Sequence, residues 1–405
     1  MKNKLYIASA GAGKTTKLIN DAIERCTSLQ DSNKIVAIVT YTQKNQEHAQ
    51  HKIANSNYRG NSIKVYGWYE FLLRFIARPF KVDVIPELRH AHIGLLLVND
   101  ISGKEKSKNG QYYSTYREGD KKTKYLTQSG NKIYSDKLSE FCIECYESNR
   151  NIFIPRLECI FDSIYFDEAQ DFTGHDFDII KLILKSKILC TIACDPRQHT
   201  YDTHATTKYK KYKGKIDLFC SDVLNNKRKE LIKIDNETLQ KSWRCPKCIC
   251  DFASKIMPEY PLMISNKEDS IGQCILITKQ YADVYTQFVS PVALIWNETS
   301  KKDVSSYCEY IYNLGEVKGI EFENVVIYPT KPMLKWMKNK VNTLPDTSKA
   351  KFYVGVTRAM ETLAIIVPDN FTSDWLDMET WHPDCAEQQE VHRNHFQNIP
   401  KQILP

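Results

Sequence analysis

The stretch YIASAGAGKTTKL, residues 6–18, constrains the fold more than any other part of the chain. An apolar run leads into a glycine-containing turn, and TTKLINDAIERC follows as a helix. A strand–loop–helix of this kind turns backbone N–H groups and a helix N-terminus toward an anion, which is how phosphate loops hold nucleotides. The general pattern G-x-x-x-x-G-K-[ST] is met except at its first position, where Ala8 stands. Gly11 and Gly13 let the backbone bend around phosphates, so Ala10, Gly11, Ala12, Gly13, Lys14, Thr15 and Thr16 form the candidate nucleotide-binding segment. Within it Lys14 is expected on the β- and γ-phosphates of ATP, and the Thr15 hydroxyl on Mg²⁺.

Further apolar runs alternate with helical patterns. KIVAIVT, SIYFDEAQD, ILCTIACD, QCILIT, VALIWN, NVVIYP and LAIIVP read as strands, and HDFDIIKLILKS as an amphipathic helix. QKNQEHAQHKI reads as a surface helix, and SIKVYGWYEFLLRFIARPF as a strand running into a helix. Alternation of this kind predicts an α/β fold with parallel sheets covered by helices on both faces. Residues 80–158 are polar at their centre and read as an insertion between sheet elements, whereas 369–405, with Trp375, Trp381, His382, His392 and His395, reads as an irregular tail.

Two strand ends carry acids or amides. Asp167 and Glu168 follow the apolar strand IYF, where carboxylates are costly unless they hold a metal or do chemistry. Asp167 is the candidate Mg²⁺ ligand and Glu168 the candidate general base for an attacking water. In ACDPRQHTYD, Gln198 offers an amide that can sense a γ-phosphate. Arg244 in QKSWRCPK and Arg358 in FYVGVTRAMETL offer cations for phosphoryl charge in the transition state.

The net charge of +7 favours an anionic partner. Residues 208–215, KYKKYKGK, hold five lysines and two tyrosines, and residues 102–137 hold nine basic residues against four acids, with five tyrosines. Lysines neutralise phosphates and aromatic rings stack on unpaired bases. Thirteen cysteines with no secretory signal predict reduced thiols and a cytoplasmic protein. The pairs Cys142/Cys145 and Cys245/Cys248 have a spacing compatible with zinc, but read better as helical i,i+3 pairs. No run of eighteen apolar residues suggests a membrane span.

In this order the motifs resemble the UvrD/Rep-like branch of superfamily 1 DNA helicases over roughly residues 5–367. ASAGAGKTT is similar to that branch's phosphate loop, which often begins with Ala; VTYTQKNQEHAQHKI to its next motif, with Tyr41 facing DNA; DEAQD to its acidic signature. CDPRQHTY, SWRCP, VKGIEFENVVI and YVGVTRAMETL resemble its G-D-x-x-Q-x-I-Y, N-Y-R-S, K-G-L-E-F and Y-V-A-x-T-R-A motifs. The resemblance implies a P-loop NTPase of two tandem RecA-like domains, 1–79 plus 159–240 and 241–368, with 80–158 as a small inserted accessory region. It implies ATP and Mg²⁺ at Lys14, Thr15, Asp167, Glu168, Gln198, Arg244 and Arg358, with Glu321 near the sugar and the third phosphate. It also implies movement along single-stranded nucleic acid, DNA rather than RNA, usually 3′ to 5′, in DNA repair or anti-phage defence.

Several positions depart from that pattern. The expected glutamine motif has no room upstream of the loop, and Thr203-His204 replaces an aromatic–Arg pair that stacks on a base. Tyr41, Trp68 and the lysines Lys208, Lys210 and Lys211 are the candidates to compensate in binding DNA. The His usual before K-G-L-E-F is Gly315, and about 60 residues separate Pro258 from Val317, too few for a full second accessory domain. A compact chain of this kind also resembles the helicase subunits of anti-phage systems such as Gabija. There it would act as a DNA-sensing regulatory ATPase beside a nuclease subunit.

Overall fold

The computed structural model describes residues 2–29, 33–98, 101–106, 109, 112–117, 119–200, 203, 206, 208–225, 230–267 and 272–383. The chain divides into two units, Met1–Gln240 and Lys241–Pro405. Each is an α/β unit built on a parallel sheet.

The main sheet of the first unit has six strands among the described residues: β1 (Asn3–Ile7), β2 (Ile35–Thr40), β3 (Ile63–Gly67), β4 (Phe161–Phe166), β5 (Leu189–Cys194) and β6 (Ile232–Asp235). Their order is β6-β1-β5-β4-β2-β3, and every pairing is parallel. This is the RecA-like arrangement, in which β5 separates the strand feeding the glycine turn from the strand ending in acids. Alternate residues serve two buried layers, as a pleated strand requires. Leu5, Ile7, Val39 and Phe166 join one layer; Tyr6, Ala8, Ile38 and Tyr165 join the other. Near-continuous apolar strands follow, since both faces are covered.

Residues 80–158 contribute to the first of these layers rather than forming a separate core: Phe80, Ile85, Ile93, Tyr125, Leu138 and Phe141 pack in the same cluster as Leu5 and Phe166. Helix α3 (Ser135–Ser148) carries Cys142 and Cys145 inward, where both are buried. The helix that leaves β3 changes pitch. Trp68–Phe71 is α-helical, Leu72–Ala77 is π-helical, and Arg78–Val84 is α-helical again. Pro79 has no N–H to offer the carbonyl of Phe75. Arg156 fills that role, its Nη1 donating to Phe75 O at 2.8 Å.

Trp68 corrects one expectation. It stands at the start of this helix with no exposed surface, its ring 4.7 Å from that of Phe172 and stacked at 6.0 Å on Phe71. Its Nε1 donates to Asp176 Oδ1 at 3.0 Å. Trp68 is a core residue, because the turn after β3 directs it under the sheet; it has no face to offer a base.

The main sheet of the second unit has five strands among the described residues: β7 (Gln273–Thr278), β8 (Val292–Ile295), β9 (Ile311–Asn313), β10 (Phe322–Ile327) and β11 (Ala359–Val367). Their order is β7-β11-β10-β8-β9, again all parallel. After β11 the chain returns to the β7 edge: Leu276 N–H donates to Glu379 O at 2.8 Å and Trp381 N–H to Leu276 O at 2.9 Å. Trp381 is buried against Tyr285, so the tail is structured as far as this anchor; His392 and His395 lie outside the described residues. Among the described residues no helix is long and apolar enough to cross a membrane.

Arg156→Met keeps the stem but leaves Phe75 O without its donor. A loss of about 1–2 kcal/mol in denaturant unfolding is expected; an unchanged midpoint would show that water replaces Arg156 freely.

Candidate nucleotide-binding site

The loop between β1 and helix α1 (Lys14–Ser28) is fixed by its backbone. Ala8 N–H donates to Cys194 O and Ser9 N–H to Leu239 O, both at 2.8 Å. Gly11 and Gly13 have positive φ, 70° and 81°, and Gly13 is the residue before the helix. These two positions need glycine. Ala8 is not among the positive-φ residues, and its methyl group is buried in the core layer of Tyr6 and Leu18. The first position of the pattern therefore does not require glycine here.

At the far end of the loop, Lys14 Nζ lies 3.8 Å from Glu168 Oε1, with 9% and 15% of the two side chains exposed. Thr15 Oγ1 donates to Asp167 Oδ2 at 2.6 Å. Asp167 Oδ1 accepts from the Glu168 N–H at 3.0 Å. Glu168 itself has φ 55° and ψ 38°, a left-handed conformation that costs an ordinary residue about 1 kcal/mol. Strain of that kind is common at functional positions. Burial, with the Glu168 charge beside it, raises the Asp167 carboxyl from its ordinary 3.8 to about 6, against the opposing pull of Thr15 and Lys14.

The oxygens gathered here, a threonine hydroxyl and a carboxylate, suit a hard divalent cation such as Mg²⁺. No group of three or more His, Cys, Asp or Glu side chains able to hold a metal occurs among the described residues. Mg²⁺ is commonly held by one or two side chains and completed by phosphate oxygens and water.

A second ring of residues lies behind the first. Gln170, fully buried, donates from Nε2 to Glu168 Oε2 and accepts the Asp195 N–H on Oε1 at 3.1 Å. Asp195 Oδ2 accepts Gln198 Nε2 at 2.7 Å, and Oδ1 accepts Arg197 Nε at 2.9 Å. Arg197 Nη2 continues to Ala8 O at 2.8 Å and Ser9 Oγ at 3.1 Å. Ser9 Oγ donates to Gln240 Oε1 at 3.0 Å, and Gln240 Nε2 to Ile7 O at 2.9 Å. Sequence reading singled out Gln198 and passed over Arg197, Gln170 and Gln240. Charged and amide side chains are ordinarily surface residues, so their burial leaves no one-dimensional signal.

The structure thus brings together Lys14, Thr15, Asp167 and Glu168 of the first unit, with Gln198 joined to Glu168 through Asp195 and Gln170. Thr16 accepts a hydrogen bond from Lys52 Nζ at 2.6 Å. In the second unit Arg244 Nε donates to Glu321 Oε1 at 2.8 Å and Nη1 to Thr357 O at 3.1 Å. Arg358, 1% exposed, donates from Nε to Val354 O at 2.9 Å and from Nη1 to Ile320 O at 3.3 Å. Trp243, beside Arg244, exposes 67% of its surface and was not singled out by sequence.

The residues expected on nucleic acid are spread over the first unit. Tyr41 follows β2, half-buried, its ring 5.7 Å from that of Tyr69 in an edge-on arrangement. Tyr69 in turn donates to Thr203 O at 2.7 Å. Lys208 and Lys211 are held by Asp178 and Asp222 at 2.7 and 2.8 Å, and Lys210 is exposed. His204 lies outside the described residues.

No protein-family profile matches the chain, and no curated protein matches it in sequence. Among solved structures it is similar to the arterivirus nonstructural protein 10 helicase, at 13% identity and a TM-score of 0.44 over 91% of this chain and 60% of that one. The same viral helicase in complex with DNA gives 13% and 0.44, over 91% and 61%. The PRRSV helicase gives 12% and 0.42, over 98% and 68%. The chain thus spans about 60% of the length of the first two structures it matches.

The raised Asp167 pKa has a consequence for stability. A carboxyl whose folded pKa exceeds its unfolded one favours the fold fully below about pH 4, and that contribution is lost as pH rises through about 6. Asp167→Asn has no charge to bury. Without metal at pH 8 it is expected to be about 1–3 kcal/mol more stable than the parent, and to lose the stabilisation that Mg²⁺ with nucleotide gives the parent. Thermal melts between pH 4 and 8 check this; a variant less stable at pH 8 contradicts it.

Proposed function

We propose that the chain is an ATP-hydrolysing motor of the superfamily 1 helicase type, UvrD-like, moving on single-stranded nucleic acid, with DNA the preferred track and 3′ to 5′ the expected polarity. The observation that carries this reading is the Lys14–Thr15–Asp167–Glu168 cluster at the ends of β1 and β4, backed by Gln198. A phosphate loop alone does not define what accepts the phosphoryl group. A carboxylate beside the loop's lysine, with a sensing amide one strand away, suits water as the acceptor.

In this mechanism the N–H groups of residues 10–15 and the Lys14 ammonium hold the phosphates. Bound Mg²⁺, which Thr15 and Asp167 would hold, supplies neutralisation of the β- and γ-phosphate charge. Glu168, angled toward the loop by its left-handed backbone, takes the proton of the attacking water. Before nucleotide enters, its carboxylate faces Lys14; a γ-phosphate would draw the ammonium away and leave Glu168 Oε1 to the water. Gln198 reports the γ-phosphate through Asp195. Arg244 and Arg358 stabilise phosphoryl charge in the transition state, with Glu321 orienting Arg244; these roles belong to the same proposal. Tyr41, steadied by Tyr69, is the candidate base-contacting ring, and Lys210 the readiest phosphate contact of its run. Residues 80–158 stand in for a reduced accessory region, and repair or defence is the setting this reading favours.

Steady-state ATP hydrolysis with and without single-stranded DNA tests it. Single strands are expected to raise the rate, and Glu168→Gln to lower it by about 10²-fold or more. Hydrolysis indifferent to every nucleic acid tested would overturn the motor, and an undiminished Glu168→Gln rate would overturn the assigned base.

A further inference from the structure

The first sheet ends at β3, whose outer edge has no strand against it among the described residues. Val36 N–H donates to Ser62 O at 2.9 Å, and Val36 lies opposite Ile63. In a parallel ladder this register turns the polar groups of residues 62, 64 and 66 toward β2. The N–H and C=O of Ile63 and Val65 then point outward, alternating donor and acceptor. They open into a groove of about 890 Å³.

The two walls of the groove differ. Ile63 and Val65 lie on the face covered by helix α2 (Gln43–Ala54), where Ile53 and Tyr58 pack with them. That wall is apolar apart from Gln50 of the same helix. Lys64 and Tyr66 lie on the other face, where the Arg74 guanidinium sits 5.7 Å from the Tyr66 ring centroid. Arg59, whose Nη1 donates to the Ser56 and Tyr58 carbonyls, adds a third cation to the lining, and Glu70, 3.7 Å from Arg74, is the one acid there. The Arg74 and Glu70 side chains are 58% and 50% exposed, so their pairing is weak and exchangeable.

We propose that this edge is a docking strip for an extended segment of a partner protein in which acidic and apolar residues alternate. An added strand has period two. Side chains of one parity would meet Ile53, Ile63 and Val65, and those of the other Lys64 and Arg74. Main-chain pairing with Ile63 and Val65 supplies affinity, as in other strand-addition complexes. A nucleic-acid strand fits less well. Its phosphates only accept hydrogen bonds, so the outward carbonyls would face negative charge. The groove also runs along the outer edge of β3, whereas the phosphate loop and Tyr41 lie at the C-terminal ends of β1 and β2, where ligands of parallel sheets bind. The proposal stands apart from the nucleotide site and does not depend on its reading.

The probe is a fluorescein-labelled peptide of sequence Gly-Val-Glu-Val-Glu-Val-Glu-Gly, titrated against the full chain by polarisation and by backbone hydrogen exchange. Saturable binding is expected, with slowed exchange at Val65. Arg74→Glu with Lys64→Glu is expected to weaken it about tenfold or more. Val65→Pro removes an outward N–H, which edge strands tolerate, and is expected to abolish it. Unchanged circular dichroism and melting confirm that both variants fold; the charge-reversal pair gives the decision if Val65→Pro does not. Absence of saturable binding overturns the proposal. So does binding indifferent to the charge reversal, or an oligodeoxythymidylate that displaces the peptide and protects Val65 itself. A dimer of the chain dissociated by Val65→Pro would assign the edge to a second copy instead.

Discussion

A guanidinium with almost no exposed surface joins the ends of two neighbouring strands of the first sheet. Arg197, on the turn after β5, reaches Ala8 and Ser9 at the end of β1 while its Nε is held by Asp195. Breaking a buried pair of this kind typically costs about 3–5 kcal/mol, because the partner is left charged and unpaired. Replacing both with apolar residues would cost less in stability. It would also remove the carboxylate that receives Gln198. The pair therefore serves geometry. It fixes where the phosphate loop begins, and the same carboxylate fixes the sensing amide.

From this link the rest of the first site follows. The loop is held at one end by Arg197 and by the Ala8 and Ser9 backbone bonds, and at the other by the start of α1. Gln170 connects the Asp195 backbone to Glu168. A displacement of Gln198 thus has a hydrogen-bonded route to the candidate base and to the root of the loop. Gln240, bonded to Ser9 and Ile7, is the last residue of the first unit, so the same network ends where the chain passes into the second.

Much of the fold was legible because parallel strands covered on both faces write themselves as apolar runs. β1, β2, β4 and β5 were all readable, as were β7, β8, β10 and β11. The strands that escaped were short edges: β6 within ELIKIDNE and β9 within EYIYN carry charges or tyrosines among few apolar residues. The loop and the acids Asp167 and Glu168 were legible because glycine at positive φ and carboxylates after a buried strand are unusual residue choices. Trp68 misled because a tryptophan near a candidate nucleic-acid motif looks like a stacking ring, and only the packing against Phe71 and Phe172 shows otherwise. Arg197 and Gln240 were hidden because their burial depends on strands distant in sequence.

The most direct test of the central claim is equilibrium binding of a fluorescent ATP analogue to the unmodified chain and to Lys14→Ala, with magnesium and with chelator. Saturable binding that needs magnesium, and that falls about tenfold or more in Lys14→Ala, is predicted, since the ammonium is the one cation the loop itself places at the phosphates. Binding that is equally tight without magnesium and without the Lys14 ammonium would contradict the account.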